Sequence, residues 1–104
     1  MASNDNDFGF APPPFKPADA LLGLKRGLRD LPTLSERGEG FELKGARVVE
    51  FTLAESAIEA RLARRPMRGG STEWDAFKLA GSTDVRKFSD EVRKRVARWT
   101  EEER

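Results

Sequence analysis

The sequence STDVRKFSDEVRKRVARW, residues 82–99, carries the clearest structural pattern in the chain. Its apolar residues recur at intervals of three or four positions: Val85, Phe88, Val92, Val96 and Trp99. This spacing places them on one face of an α-helix. Thr83 or Ser82 is expected to cap the helix N-terminus, because a hydroxyl there accepts a backbone hydrogen bond. A helix with such a stripe must bury it, so the preceding residues should supply the surface that it covers.

A second apolar stripe predicts another helix, from Pro17 to about Leu31. The stripe consists of leucines at helical spacing: Leu21, Leu24, Leu28 and Leu31. Proline suits the first helical position, where its missing N–H is not needed. Gly23 and Gly27 each disfavour a helix by roughly 1 kcal/mol relative to alanine. Two interpretations stay open: Gly27 allows close approach to a sheet, or the helix is marginal and packing stabilises it.

Between the two predicted helices, the pattern changes from helical spacing to alternation. Residues 41–43 and 49–53 alternate apolar and polar side chains on either side of Lys44-Gly45, which predicts a β-hairpin with Gly45 at positive φ. Residues 74–79, WDAFKL, are also predicted to be extended. Residues 33–40, TLSERGEG, are predicted to form a polar loop.

Residues 54–65, AESAIEARLARR, have two interpretations. As a helix, they would begin with a capping box made by Thr52 and Glu55. As a strand, Ile58, Ala60 and Leu62 would share one face. We favour the strand, because residues 74–79 need a neighbour with which to pair. The predicted fold is then α+β: a two-layer sandwich with an antiparallel sheet of three to four strands and the N-terminal and C-terminal helices packed on one face.

The composition narrows the classes of function. The chain has 104 residues, a net charge of +1, no histidine and no cysteine. Imidazole bases, thiol nucleophiles and thiolate or imidazole metal sites are therefore excluded. We expect no enzyme activity, cofactor or metal. Because no apolar run could span a bilayer and the N-terminus lacks a secretory pattern, we expect a cytoplasmic protein without a membrane partner.

The N-terminal residues differ in composition from the rest. Residues 1–16 are predicted to be a disordered arm containing proline and phenylalanine, residues 17–100 a single α+β domain, and residues 101–104 a frayed acidic tail. Phe8 and Phe10 are candidate contacts for a protein partner. The alternative is that one or two of the arm's phenylalanines fold back onto the domain.

The densest basic stretch is a candidate phosphate or nucleic-acid contact. It consists of Arg61, Arg64, Arg65 and Arg68, and arginine suits phosphate recognition. The alternative is a solvated hairpin loop. We therefore predict a small non-enzymatic interaction module that binds a protein partner or itself, with the monomer favoured. The alternative function is a weak nucleic-acid-binding domain that uses the arginine-rich loop.

The segments FKPADALLGLKRGLRDL, GFELKG and DVRKFSDEVRKRVARW resemble a small protein family of β-proteobacteria of the Burkholderia type. The resemblance covers most of the chain after Phe15 and implies a bacterial protein of unknown role, with no catalytic or binding residue to carry over. The predicted helix–strands–helix order is also similar to the double-stranded-RNA-binding domain. The chain departs from that family at the start of the last helix, where residues 82–85 read STDV in place of a lysine-rich sequence.

Overall fold

The computed structural model describes residues 14–102, which form two α-helices and five β-strands. In chain order the elements are α1 (Pro17–Arg29), β1 (Leu34–Arg37), β2 (Gly40–Leu43), β3 (Ala46–Leu53), β4 (Ile58–Ala63), β5 (Trp74–Leu79) and α2 (Ser82–Glu102). The strands pair only with their sequence neighbours, all antiparallel, in the spatial order β1-β2-β3-β4-β5. The fold is α+β with an open antiparallel sheet, which agrees with the fold class and the strand pairing predicted from the sequence.

The apolar stripes of both helices are buried in one cluster with residues of the sheet. In α2 the buried residues are Phe88, Val92, Val96 and Trp99, and in α1 they are Leu21, Leu24 and Leu28. Phe88 is central, because its ring makes edge contacts with Phe51 at 6.0 Å and Phe77 at 5.1 Å between centroids. Such aromatic contacts add to the stabilisation from burial. The helical periodicity therefore predicts most of the buried residues, but two members of the predicted stripes, Val85 and Leu31, are only partly buried, and Leu31 lies after the end of α1.

The predicted number of strands is wrong, because residues 33–40 contain a strand in place of the predicted loop. β1 pairs with β2 from Leu34↔Leu43 to Arg37↔Gly40. Leu34 is its one buried apolar residue, and Ser35 and Arg37 are exposed. A four-residue edge strand with one buried side chain has almost no alternation to detect. Pairing with the β2 edge therefore decides its conformation.

The two strand predictions that depended on alternation are confirmed. Residues 58–63 form β4, which pairs with β5 from Ile58↔Leu79 to Ala63↔Trp74. The β2–β3 hairpin turns at Lys44 and Gly45, which have φ of 51° and 86°. Positive φ at both central residues is the requirement of a type I′ turn. Lys44 therefore accepts a conformation that non-glycine residues seldom adopt.

The start of α2 differs from the predicted cap. The helix begins at Ser82, and the Val85 N–H donates to the Gly81 carbonyl oxygen at 3.1 Å, so Gly81 holds the cap position in place of Ser82 or Thr83. The Asp84 carboxylate accepts a hydrogen bond from the Ala80 N–H at 3.0 Å. This contact fixes the short connection from β5 to α2. At its other end, the helix continues to Glu102.

Candidate functional site: a groove between the two helices

An open groove with a volume of about 940 Å³ lies between α1 and α2. Its α1 wall is made by Ala20, Gly23, Leu24 and Gly27, and its α2 wall by Val85, Arg86, Ser89, Asp90 and Arg93. Pro14 and Phe15 line the end at which α1 begins. This volume is at the upper end of the range of ligand sites.

The two walls are held by packing of both helices on the same core and by a hydrogen bond between them. α1 begins at Pro17, with the Ala20 N–H donating to the Lys16 carbonyl oxygen at 2.9 Å. Farther along the groove, Nη2 of Arg93 donates to the carbonyl oxygen of Gly27 at 3.4 Å. A Cβ built on Gly27 would lie 3.6 Å from the same nitrogen, which is ordinary contact. Arg93 therefore bridges the helices at the Gly27 end of the groove.

Gly23 has no packing partner that would require a glycine. A Cβ built at this position meets no atom within 4 Å, apart from its own helical surroundings. Glycine in a helix interior costs roughly 1 kcal/mol relative to alanine. The internal packing of the described residues therefore gives no reason for Gly23. Its absent side chain does widen the groove that it lines.

The groove combines an apolar floor with a charged rim. Leu24 is buried in the floor, and Phe15 and Val85 are partly buried against the core. The charged side chains of the lining are Lys16, Arg86, Arg93, Asp19 and Asp90. Three of these five are basic, so the rim favours a ligand with an apolar body and acidic groups beside it.

Of the arginines predicted to bind phosphate, Arg61 is engaged on the exposed side of β4. Its guanidinium donates to Glu50 and lies 4.7 Å from the ring centre of Trp74. Glu50 also accepts from Nε of Arg47 at 3.0 Å. Partial burial by itself would raise the pKa of Glu50, but the hydrogen bonds from Arg61 and Arg47 outweigh it and hold the pKa below its usual value. Arg61 is thus already paired with an anion.

Arg64 belongs to a different network, at the junction of β4, β5 and α2. Its Nε donates to Asp75 at 2.9 Å, and Asp75 also accepts from Arg95 of α2 at 2.9 Å. Arg95 in turn bonds Glu91 at 2.7 Å and the Ala63 carbonyl oxygen at 3.1 Å. The hydrogen bond from Arg64 is the main reason that the pKa of Asp75 is lowered. Arg61 and Arg64 therefore serve two separate clusters.

The other two predicted arginines lie in the loop between β4 and β5. Arg68 donates from Nε to the Lys44 carbonyl oxygen at 2.8 Å. Arg65 is exposed, and no hydrogen bond or ion pair joins it to another residue of the described chain. The structure does not gather the four arginines into one cluster. A phosphate-binding function would therefore depend mainly on Arg65, with Arg68 as a neighbour.

The predicted partner contacts, Phe8 and Phe10, lie outside the described residues. The groove was not predicted from the sequence, where apolar spacing assigned the leucines to the core and the glycines of α1 were interpreted only in terms of helix stability and packing on a sheet. The available signal was Gly23 and Gly27, two glycines four positions apart in an otherwise good helix. Their spacing puts them on one side of α1.

Comparison of the chain with protein-family models, curated proteins and solved structures gives no match. Neither of the helices in residues 14–102 is long and apolar enough to cross a membrane. The same residues contain no group of three or more acidic side chains placed to hold a metal ion.

Proposed function

We propose that the protein is a small non-enzymatic interaction module that binds an extended segment of a protein in the groove between α1 and α2. The segment carries an aromatic side chain, which enters the apolar floor near Leu24, and acidic residues beside it. The observation that carries this proposal is Gly23: it lines the groove, costs helix stability and has no internal packing role.

The size and chemistry of the groove support a peptide ligand. From Ala20 to Gly27, α1 advances roughly 10 Å, which is enough to lie along three residues of an extended chain. An aromatic side chain buries about 150–250 Å² on its own. The basic side chains Lys16, Arg86 and Arg93 at the rim attract acidic neighbours of that residue and fix its orientation.

The contrast with the charged clusters supports this choice of site. The Glu50 and Asp75 carboxylates each accept hydrogen bonds from two arginines of the same chain. A phosphate that approached Arg61 or Arg64 would have to displace an anion already bound there. The groove presents apolar surface with no such internal partner.

We also propose that both helices cover the same face of the sheet, as a two-layer sandwich. In β4 the residues Ile58, Ala60 and Leu62 are buried, whereas Glu59 and Arg61 are exposed. α1 contacts β1, β3 and β4, while α2 contacts β5 and α1. This arrangement supports a binding site on the helical side of the molecule.

A display selection tests the proposed function directly. Random twelve-residue peptides are selected on the full-length protein, and the enriched peptides are measured by fluorescence anisotropy. We expect enrichment of peptides with an aromatic residue next to acids. Gly23→Leu should weaken their binding at least tenfold, because the new side chain fills the groove.

Gly69→Leu is the matched control. Gly69 is exposed in the loop after β4, and a Cβ there also meets no atom within 4 Å. The control should bind as the wild type does. Failure to enrich any peptide, or equal binding by Gly23→Leu, would show that the groove is not the binding site.

A further inference from the structure

The first thirteen residues of the chain have the chemistry that the groove selects. We propose that residues 1–13 occupy the groove of their own molecule, with the ring of Phe10 on the apolar floor, and thereby compete with a partner segment. This inference rests on the proposed function, since it describes how that same site is regulated. The proposal gives residues 1–13, the part of the arm that precedes the described residues, a defined docking place.

The described chain begins at the groove. Pro14 and Phe15 both line it, at the end where α1 starts. Phe15 is partly buried and packs against the core, so the chain is anchored at that point. The thirteen preceding residues therefore leave from the edge of the groove and are tethered to it.

The arm is long enough to bring Phe10 to the apolar floor of the groove. Phe10 is four residues before Pro14, and the prolines at positions 12–14 favour a polyproline II helix. At 3.1 Å per residue, Phe10 can lie about 12 Å from Pro14. From Pro17, where α1 begins, to Leu24 in the apolar floor the helix advances roughly 10 Å, so Phe10 can reach the floor.

The arm also complements the groove in charge and in polarity. Its charged side chains are Asp5 and Asp7, both acidic, and they come just before Phe8 and Phe10. The rim of the groove has more basic than acidic side chains. Proline carries no backbone N–H, so residues 12–14 would lose few hydrogen bonds to water on docking. The segment is thus an aromatic ligand with acidic groups beside it.

Covalent attachment raises the effective concentration of residues 1–13 at the groove. A covalent connection of this length gives an effective concentration in the millimolar range. If the effective concentration is about ten times the dissociation constant of the free arm peptide, the apparent affinity for a partner falls about tenfold. A partner must therefore bind the groove more tightly than the arm to displace it.

A spin-label experiment locates the arm. The chain has no cysteine, so Asn6→Cys in the full-length protein carries a single nitroxide. We expect the label to broaden the amide signals of Gly23 and Ser89, and to leave unchanged those of Gly45 in the β2–β3 turn and Gly69 in the loop between β4 and β5. Unchanged groove signals would overturn the proposal.

A mixed sample separates docking within a molecule from docking between molecules. Isotope-labelled protein without the nitroxide is mixed with unlabelled protein that carries it. We expect no broadening in this sample. Broadening of the groove signals in the mixed sample as well would assign the groove to the arm of a second copy and overturn docking in cis.

A competition measurement distinguishes this inference from the proposed function. The selected peptide is titrated into the wild type, into Phe8→Ala/Phe10→Ala and into the control Asn4→Ala/Asn6→Ala, all full-length. We expect about tenfold tighter binding only in the phenylalanine variant. Equal affinity in all three proteins would overturn occupation by the arm while the proposed function stands. No binding to any of them would overturn the proposed function and the inference together.

Discussion

Two glycines in regular secondary structure, Gly40 in the sheet and Gly23 in α1, have opposite surroundings. A Cβ on Gly40 would overlap the carbonyl oxygen of Val49 and come within 2.8 Å of the Arg47 guanidinium. A Cβ on Gly23 would meet nothing within 4 Å. The fold explains the first glycine and leaves the second without an internal reason. This contrast supports the proposal that the helical groove, and not the sheet, is the binding surface.

The charges on the two surfaces differ in the same way. On the exposed side of the sheet, Arg47 bonds both Glu50 and the Arg37 carbonyl oxygen, and Arg61 bonds Glu50 and covers Trp74. The charged groups of this cluster therefore bond one another. The groove has an apolar floor and a rim with three basic and two acidic side chains, and we propose that a ligand fills it.

The largest effect is expected from Gly40→Ala. The added methyl group forces the β2 and β3 backbones apart, because the Val49 carbonyl oxygen cannot move without breaking the strand pairing. We expect the free energy of unfolding to fall by about 1–3 kcal/mol or more, as for overpacked sites. Urea denaturation followed by circular dichroism measures it. An unchanged midpoint would show that β2 and β3 can separate at no cost.

Gly23→Ala should act in the opposite direction. Alanine fits the open space and favours the helix, so we expect the free energy of unfolding to rise by up to about 1 kcal/mol. Thermal unfolding of Gly23→Ala and Gly23→Leu measures this effect. Weaker peptide binding together with a higher melting temperature would show that the glycine serves binding. A lower melting temperature would mean that Gly23 has a structural role after all.

The charge clusters should make stability depend on acidic pH. The pKa values of Glu50 and Asp75 are lower in the folded protein than in the unfolded chain, because arginines hydrogen-bond their carboxylates. Their contribution is complete above the unfolded values, near pH 4, and is lost as the pH falls through the folded values. Because the chain has no histidine, no side chain with an ordinary pKa between 5 and 8 adds to this dependence.

Denaturation between pH 2 and pH 7 tests this expectation. The free energy of unfolding should fall below about pH 4, and Glu50→Gln and Asp75→Asn should each make the fall shallower. Glu50→Gln should also cost about 1 kcal/mol or less at pH 7, as expected for an accessible ion pair. Glu55→Gln is the control, since Glu55 is exposed and forms no ion pair with the described residues. If the wild type and the three variants lose stability over the same pH range, the Glu50 and Asp75 carboxylates are not the cause of the loss.

The smallest effect is expected from Arg65→Glu. Arg65 is exposed and makes no bond to the described residues, so stability should change by less than about 0.5 kcal/mol. The same variant tests the alternative of nucleic-acid binding. RNA is titrated into the wild type and into Arg65→Glu at low and moderate salt, and we expect the same affinity for both proteins. RNA binding that weakens with added salt and is lost in Arg65→Glu would instead favour nucleic-acid binding.

The sequence by itself determined the elements that have a strong period. Helical spacing identifies the buried face of α2 from Val85 to Trp99, and alternation identifies β4 and the hairpin at Lys44-Gly45. These patterns are local, because burial of one face forces the same residue type to recur at the period of the element. The same patterns could not reveal β1, whose four residues bury one leucine.

Only the tertiary structure decided the site. The sequence places Arg61 and Arg64 three residues apart, but the fold pairs one with Glu50 of β3 and the other with Asp75 of β5. It also sets Gly23 opposite Val85 and Ser89 across an open groove, although more than sixty positions of sequence separate them. Partners of this kind come from strand register and helix packing, which depend on the whole core. Local periodicity carries no information about which distant surfaces meet, or where they leave a space.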